Sequence, residues 1–94
     1  MKSIMQYQKE CYFCGSTASL EKHHIFNGAY RTKSENLGLT VYLCHNCHNE
    51  PPYGVHHNAD EMKRLKAEGQ AAAMNYYGWS EERFRDMFGK SYLP

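Results

Sequence analysis

The sequence lacks an excess of charge of one sign and any long apolar run. Its 94 residues include 11 basic and 10 acidic side chains, which gives a formal net charge of +1. This balance excludes a domain whose whole surface is strongly basic, so only local clusters could contact nucleic acid. No stretch is long enough to span a membrane. The opening turns polar at Gln6, before the apolar region of a signal peptide could form.

Without a membrane segment or a signal peptide we expect a cytoplasmic protein, and stable disulfides are uncommon in that compartment. The chain nevertheless has four cysteines in two C-x₂-C pairs, Cys11 with Cys14 and Cys44 with Cys47. A domain of this size is marginal for a hydrophobic core unless a crosslink supports it. Two such pairs are typical of a tetrahedral zinc site. We therefore predict a structural zinc ion bound by all four cysteines, with disulfides or redox thiols as the alternative.

The two cysteine pairs lie further apart than in a simple zinc ribbon. The 29 residues between Cys14 and Cys44 exceed the usual spacing of about 15–20, so another element is inserted there. Residues 20–26 alternate as a strand does, and residues 39–43 are rich in side chains suited to strands. The sequence predicts two strands joined by a polar loop.

After the second cysteine pair, the sequence predicts helices. A short helix that begins near Cys44 is expected to end at the two prolines that follow. Asn58 and Ser80 are each expected to cap a further helix, and a glycine is expected to end each of them. The predicted fold class is α+β, as a single domain over residues 1–94 in which residues 58–90 form a helical C-terminal extension.

The six histidines fall into three groups: His23-His24, His45 with His48, and His56-His57. Since four thiolates complete one zinc site, His48 is free to bind a second metal. Adjacent side chains on a strand point to opposite faces, so His23 and His24 are expected to have different roles. One would bind metal while the other approaches a reacting group from another side. The alternative places one of them in the core and the other at the surface.

Two segments, CYFCGSTASLEKHHIF and ENLGLTVYLCHNCHN, resemble the HNH, or ββα-metal, nuclease family. They also resemble the small zinc-stapled HNH proteins found in bacteriophages and prophages. The shared order is a C-x₂-C pair, a strand ending in His-His, an Asn-Leu pair, and a second strand leading into Leu-Cys-x₂-Cys-His. The match covers residues 11–57. It implies a zinc-stapled ββα-metal (His-Me finger) core followed by two C-terminal helices.

The resemblance implies a role for each matching position. His24 matches the general base of the family, and His23 and His48 match ligands of a catalytic divalent ion. Asn36 matches the residue that steadies the loop around the base by hydrogen bonds, although it lies further from Cys44 than in the common family pattern.

The third metal ligand departs from the family pattern. In the histidine-rich members, a further histidine one helical turn after the position of His48 completes the site, and here that position is Pro52. The resemblance favours His56 as the replacement. His57 is the alternative third ligand. It could instead contact one of the ligands without binding the metal, or have no role beyond preceding the helix cap Asn58.

The resemblance implies an endonuclease that hydrolyses DNA phosphodiester bonds with a histidine base and one divalent ion. Imidazole ligands suit zinc, nickel or manganese, and magnesium with water ligands stays open. The substrate is expected to be double-stranded DNA, bound with low sequence specificity. Lys22, Arg31 and Lys33 are candidates for phosphate contacts, with plain solvated surface as the alternative.

The resemblance also implies a phage or prophage product in a bacterial host, with a homodimer or phage proteins as further partners and no membrane. Two other functions compete. The first is a non-catalytic zinc module that binds nucleic acid or protein, favoured by the low net charge and by Pro52. The second is a regulatory or inhibitor protein. His23 and His24 favour the nuclease, because a zinc crosslink alone does not require them.

Overall fold

A two-stranded antiparallel sheet lies at the centre of the fold. In the computed structural model, which describes residues 1–94, strand β1 (Leu20–His24) pairs with strand β2 (Thr40–Cys44). Alternation along β1 buries His23 on one face and leaves His24 partly buried on the other. Both predicted strands are confirmed, although β1 ends at His24 rather than at residue 26.

The segment between the strands contains a helix where the sequence predicted a polar loop. After one 3₁₀ turn, helix α1 (Arg31–Leu37) runs until Gly38, whose φ of 74° is in the left-handed region that favours glycine. The fully buried Ser34 side chain accepts from the N–H of Phe26 at 3.1 Å and donates to its carbonyl at 2.8 Å. The loop prediction was wrong because the inward-facing side of this short helix has a buried serine where an apolar residue is usual. The sequence therefore lacks the amphipathic pattern that predicts a helix.

Helix α2 (His45–His48) directly follows β2 and is one turn long. The predicted short helix is therefore confirmed, and it ends before the two prolines. A 3₁₀ turn (Val55–His57) then leads toward the C-terminal helices. Both short elements carry histidines, so the local backbone of this region decides where those side chains point.

The predicted pair of capped C-terminal helices is confirmed. Asn58 caps helix α3 (Ala59–Tyr77) and Ser80 caps helix α4 (Glu81–Phe88), each through a side-chain oxygen that accepts a backbone N–H. A glycine in the left-handed conformation ends each helix. None of the helices combines the length and the apolar character that a bilayer crossing requires.

The core joins the end of β1 to α3 and α4. Phe26, just after β1, packs against Phe84 and Phe88 of α4 with ring centroids 5.3 and 4.5 Å apart. On α3, a Cβ added at Gly69 would lie 2.6 Å from Ile25 Cγ2, so glycine permits the close approach of this helix. These contacts fix the part of the chain that directly follows the paired histidines.

The N-terminal segment runs beside β2 and places the first cysteine pair. The N–H of Ile4 donates to the carbonyl of Gly38 at 2.9 Å, and the N–H of Tyr12 donates to the carbonyl of Tyr42 at 2.8 Å. The Gln6 side chain accepts from the N–H of Tyr42 at 2.9 Å. Together, sheet and helices form the α+β fold that the sequence predicted.

Candidate metal centres

The four cysteines converge at one end of the sheet as free thiols. Their Sγ atoms all lie within 4.8 Å of one another, and Cys14 Sγ lies 3.6 Å from Cys44 Sγ. This separation excludes a disulfide between the two, because an S–S bond is about 2.05 Å long. Thiolates about 2.3 Å from a zinc ion lie about 3.8 Å apart in a tetrahedron. The cysteine cluster can therefore hold a structural metal ion such as zinc.

The two cysteine pairs reach this cluster on different local structures. In the first pair, the N–H of Gly15 donates to the carbonyl of Cys11 at 2.9 Å, and Gly15 has a φ of 79°. The tight turn that results brings both thiols to one side. In the second pair, Cys44 ends β2 and Cys47 lies within α2, so the strand-to-helix junction provides the second turn.

The cysteine thiols differ in their affinity for protons. Burial acts to raise the pKa of Cys11, but backbone hydrogen bonds, the strongest from Cys44, outweigh it and lower the pKa to about 6. Burial, followed by the neighbouring Cys44 thiol, raises the pKa of Cys47. Thiols this close cannot all ionise without a cation among them, and a bound zinc ion supplies that cation.

Three histidines from three elements form a second cluster: His23 from β1, His48 from α2 and His56 from the 3₁₀ turn. His48 Nε2 lies 3.3 Å from His23 Nδ1 and 3.0 Å from His56 Nε2. Imidazole nitrogens about 2.0–2.1 Å from a zinc ion lie about 3.4 Å apart in a tetrahedron. The spacing of this histidine cluster therefore fits three ligands of one divalent ion.

Glu21 fixes the orientation of His48. Its Oε1 accepts from His48 Nδ1 at 2.7 Å, while its Oε2 lies 3.2 Å from His45 Nδ1. Hydrogen bonds to His48 and then to His45 lower the pKa of the Glu21 carboxyl, so this group is ionised. With its proton on Nδ1, His48 turns the lone pair of Nε2 toward the other two histidines. A carboxylate commonly orients a ligand histidine in this way at metal sites.

His23 is the most deeply buried of the three, with an exposed fraction of 2%. Burial, followed by the nearby His48 and His56, lowers the pKa of His23 to about 3, so the ring is neutral at physiological pH. Neutral imidazole is the form that binds metal. The Nε2 atom of His23 is buried without a hydrogen-bond partner. Because an unpartnered buried nitrogen costs free energy, packing alone does not explain this position.

His24 lies on the opposite face of β1 from His23, with 11% of its side chain exposed. Its Nε2 lies 3.1 Å from Glu35 Oε1 on α1. Lys22 Nζ lies 2.8 and 2.9 Å from the two carboxylate oxygens of Glu35. The structure thus brings three of the candidate histidines together and leaves the His24 ring on the other face of the strand, in contact with a carboxylate.

Two candidate residues lie outside these contacts. Asn36 is exposed on α1 and its side chain forms no hydrogen bond within the protein; the bonds that hold the chain after β1 come from Ser34 instead. His57 is exposed, and its ring lies outside the histidine cluster. Of the two neighbouring histidines, the structure therefore brings His56 to the cluster.

The three basic candidates for phosphate contacts have different surroundings. Lys22 forms a salt bridge with Glu35. Lys33 donates to the backbone carbonyl of Met87 at 2.5 Å, which holds its ammonium against α4. Arg31 is exposed and forms no salt bridge, so it is the one candidate whose charge is not engaged within the protein.

Sequence reasoning missed Glu21 and Glu35. Glu21 lies two residues before His23 and therefore on the same face of a strand, a signal that the alternation already contained. Glu35 gave no such signal, because its approach to His24 depends on α1, which the sequence predicted as a loop.

The chain was compared with models of protein families, with curated proteins and with solved structures, and none of the three comparisons gave a match. The functional interpretation therefore depends on the geometry of the cysteine and histidine clusters. These clusters are chemically distinct, because one offers only sulfur ligands and the other only imidazole nitrogens.

Proposed function

We propose that the protein is a metal-dependent endonuclease of the HNH type that hydrolyses DNA phosphodiester bonds at the histidine cluster. The observation that carries this proposal is the convergence of His23, His48 and His56, with neighbouring nitrogens 3.3 and 3.0 Å apart. His23 directly precedes His24 in the chain. A structural zinc site requires none of these four side chains. The buried His23, whose Nε2 has no hydrogen-bond partner, costs the fold free energy, and this cost supports a chemical role.

In the proposed reaction, three of the histidines bind the metal ion and the fourth, His24, transfers a proton. The histidine cluster would hold a divalent ion, which supplies charge neutralisation at the phosphate and at the leaving oxygen. Three imidazoles suit zinc, nickel or manganese better than magnesium, which prefers oxygen ligands. His24 accepts a proton from the attacking water. The water oxygen bonds to phosphorus while the bond to a sugar oxygen breaks, which leaves one phosphomonoester end and one hydroxyl end.

The cysteine cluster has a separate, structural part in this proposal. Cys47 and His48 are neighbours in α2, so a zinc ion bound by the cysteines ties the element that carries a catalytic ligand to the N-terminal segment. A four-thiolate zinc site is closed, with no position for substrate. The cysteine zinc therefore places the histidine cluster without taking part in the reaction.

Double-stranded DNA is the proposed substrate, bound mainly through its phosphates. Arg31 is free for such a contact, whereas Lys22 and Lys33 are partly engaged within the protein. With a net charge of +1, the domain is expected to bind DNA weakly and with little sequence preference. One centre acts on one strand, so cleavage of both strands needs a dimer or two successive nicks.

A non-catalytic module that binds nucleic acid or protein is the second candidate function. It is favoured by the engagement of Lys22 and Lys33 within the protein, because both are candidates for phosphate contacts. Such a module would bind metal at the cysteine cluster and would leave DNA intact under all conditions. Cleavage assays therefore separate the two functions.

A supercoiled-plasmid assay tests the proposed nuclease. Zinc-loaded protein is incubated with plasmid and added magnesium, manganese, nickel or zinc, with and without chelator. We expect nicked or linear DNA only with metal. We also expect loss of cleavage in His56→Ala but not in His57→Ala, its exposed neighbour outside the histidine cluster. Intact plasmid with every metal, from protein shown to be folded, would contradict the nuclease and favour the binding module.

A further inference from the structure

The imidazole of His24 is held by a carboxylate that is itself held by a lysine. Glu35 Oε1 lies 3.1 Å from His24 Nε2, and both Glu35 oxygens lie within 2.9 Å of Lys22 Nζ. The three side chains come from two elements, β1 and α1. No other side chain of the protein forms a hydrogen bond with the His24 ring, so Glu35 alone sets its orientation by hydrogen bonding.

The backbone brings these three groups together. Lys22 and His24 are two residues apart on β1 and therefore share a face. On α1, the residue before Glu35 is the buried Ser34, which holds the helix to Phe26 through two hydrogen bonds of 3.1 and 2.8 Å. At the end of α1, the hydroxyl of Tyr77 donates to the carbonyl of Leu37 at 2.7 Å. Glu35 is thus carried on a helix that is held at its middle, by Ser34, and at its C-terminal end.

The contact with Glu35 determines which nitrogen of His24 carries the proton. Lys22, followed by His24, lowers the pKa of the Glu35 carboxyl, so the group is ionised and can only accept hydrogen bonds. A neutral His24 must then donate from Nε2. Its Nδ1 is left with a lone pair, which is the atom that a general base needs.

We propose that Glu35 is the positioning residue of the general base: its carboxylate accepts the Nε2–H of His24 and leaves Nδ1 free to take a proton from water. This inference rests on the proposed nuclease function for its purpose, but the orientation of His24 can be measured without cleavage. Lys22 is part of the same arrangement, since it holds the Glu35 carboxylate in place. Its role is then within the site rather than chiefly at the phosphates.

Nitrogen-15 NMR of the zinc-loaded protein tests the orientation directly. At about pH 8, above the ordinary range of histidine titration, long-range proton–nitrogen correlations distinguish the two neutral tautomers. We expect His24 to carry its proton on Nε2 in the native protein and in Lys22→Ala, which keeps the carboxylate. In Glu35→Ala we expect a mixture of tautomers. A native His24 protonated on Nδ1, or an unchanged tautomer in Glu35→Ala, would overturn the inference.

Cleavage kinetics give the second readout. Loss of the carboxylate that orients a catalytic imidazole costs from about 10-fold to about 10⁴-fold in rate. We expect Glu35→Ala to lower kcat at least about tenfold with KM nearly unchanged. The control is Thr32→Ala, an exposed position on the same helix, which is expected to retain native kcat. A rise in KM with native kcat in Glu35→Ala would show a DNA contact instead and would overturn the inference.

The two experiments also separate this inference from the proposed function. A native protein that cleaves no DNA, but whose His24 tautomer changes in Glu35→Ala, would refute the nuclease and uphold the orientation by Glu35. A protein that cleaves DNA while Glu35→Ala keeps both native kcat and the native tautomer would uphold the nuclease and refute Glu35. Each variant is first shown to bind one zinc ion and to melt near the native temperature.

Discussion

At the scale of residues, two glutamates determine how the histidines can be used. Glu21 binds Nδ1 of His48 and Glu35 lies against Nε2 of His24, so each leaves the other ring nitrogen with a lone pair. Strand alternation predicted the separation of His23 from His24. It did not predict either glutamate contact, because those depend on α2 and α1 approaching β1 from opposite faces.

Replacement of Glu21 tests the histidine cluster as a metal site. Partners that orient ligand histidines typically contribute about 10- to 100-fold in metal affinity, so Glu21→Ala is expected to weaken the second metal by this factor. Glu50→Ala is the matched control, because Glu50 contacts His45 and not His48. Isothermal titration of protein already loaded with zinc at the cysteines measures both. Equal affinity in Glu21→Ala and native protein would contradict the assignment.

The buried His23 gives a pH dependence of stability. Its pKa is lowered from the ordinary 6.5 to about 3, so the unfolded chain takes up this proton more readily than the folded protein. The buried neutral ring of His23 therefore contributes fully to the free energy of unfolding above pH 6.5. This contribution is lost as the pH falls from 6.5 toward 3. The loss amounts to about 1.4 kcal/mol for each pH unit within this range.

Urea unfolding between about pH 5 and pH 7 measures this dependence in native protein and in His23→Leu. The native protein is expected to lose stability with falling pH more steeply than the variant. The pKa of His45 is raised first by its hydrogen bond to Glu21, so protonation of His45 increases stability as the pH falls. His45 is present in both proteins, so it does not account for a difference between their slopes. Equal slopes in the two proteins would show that His23 titrates normally.

At the scale of elements, the predictable parts are those with strong local signals. The caps of α3 and α4 follow from Asn58 and Ser80, whose side chains accept the backbone N–H three residues on. Helix α1 was not predicted, because Ser34 stands where a short amphipathic helix would ordinarily have an apolar residue. Its burial is stabilised by hydrogen bonds to a distant strand end, which no local pattern contains.

Gly69 tests the close packing of α3 on the end of β1. An alanine Cβ there would lie 2.6 Å from Ile25 Cγ2 in the fully buried core. Overpacking of this kind costs about 1–3 kcal/mol, more than the gain of about 1 kcal/mol in helix propensity. Gly69→Ala is therefore expected to lower the free energy of unfolding. The control is Ala71→Gly, at an exposed position of α3, which measures the loss of helix stability caused by glycine without any change in core packing. A Gly69→Ala variant more stable than the native protein would disprove the close packing.

At the scale of the whole molecule, two ligand clusters of different chemistry occupy one small fold. The paired C-x₂-C motifs predicted the cysteine cluster well, since each pair is closed by its own tight turn. The histidine cluster was only partly predictable, because the position of His56 depends on the course of the chain after Pro52. The adjacency of Cys47 and His48 in α2 couples the two clusters.

Loss of the cysteine zinc is expected to unfold the domain, because metal binding in so small a fold contributes directly to folding free energy. Cys14→Ser tests this with little change in packing, since Cys14 is exposed. The variant is expected to lose zinc and its cooperative thermal transition. A His23→Ala, His48→Ala double variant is expected to keep the zinc and to lose only the second metal. A Cys14→Ser protein that melts like the native protein would contradict the structural role.

In the proposed nuclease, His24 acts as the base of phosphodiester hydrolysis. The most direct test is the rate of plasmid nicking by His24→Ala and by native protein at equal metal occupancy of the histidine cluster. Removal of a general base is expected to reduce the rate by about 10² to 10⁴ while both metals remain bound. Native rates in the fully metal-loaded variant would contradict this role of His24.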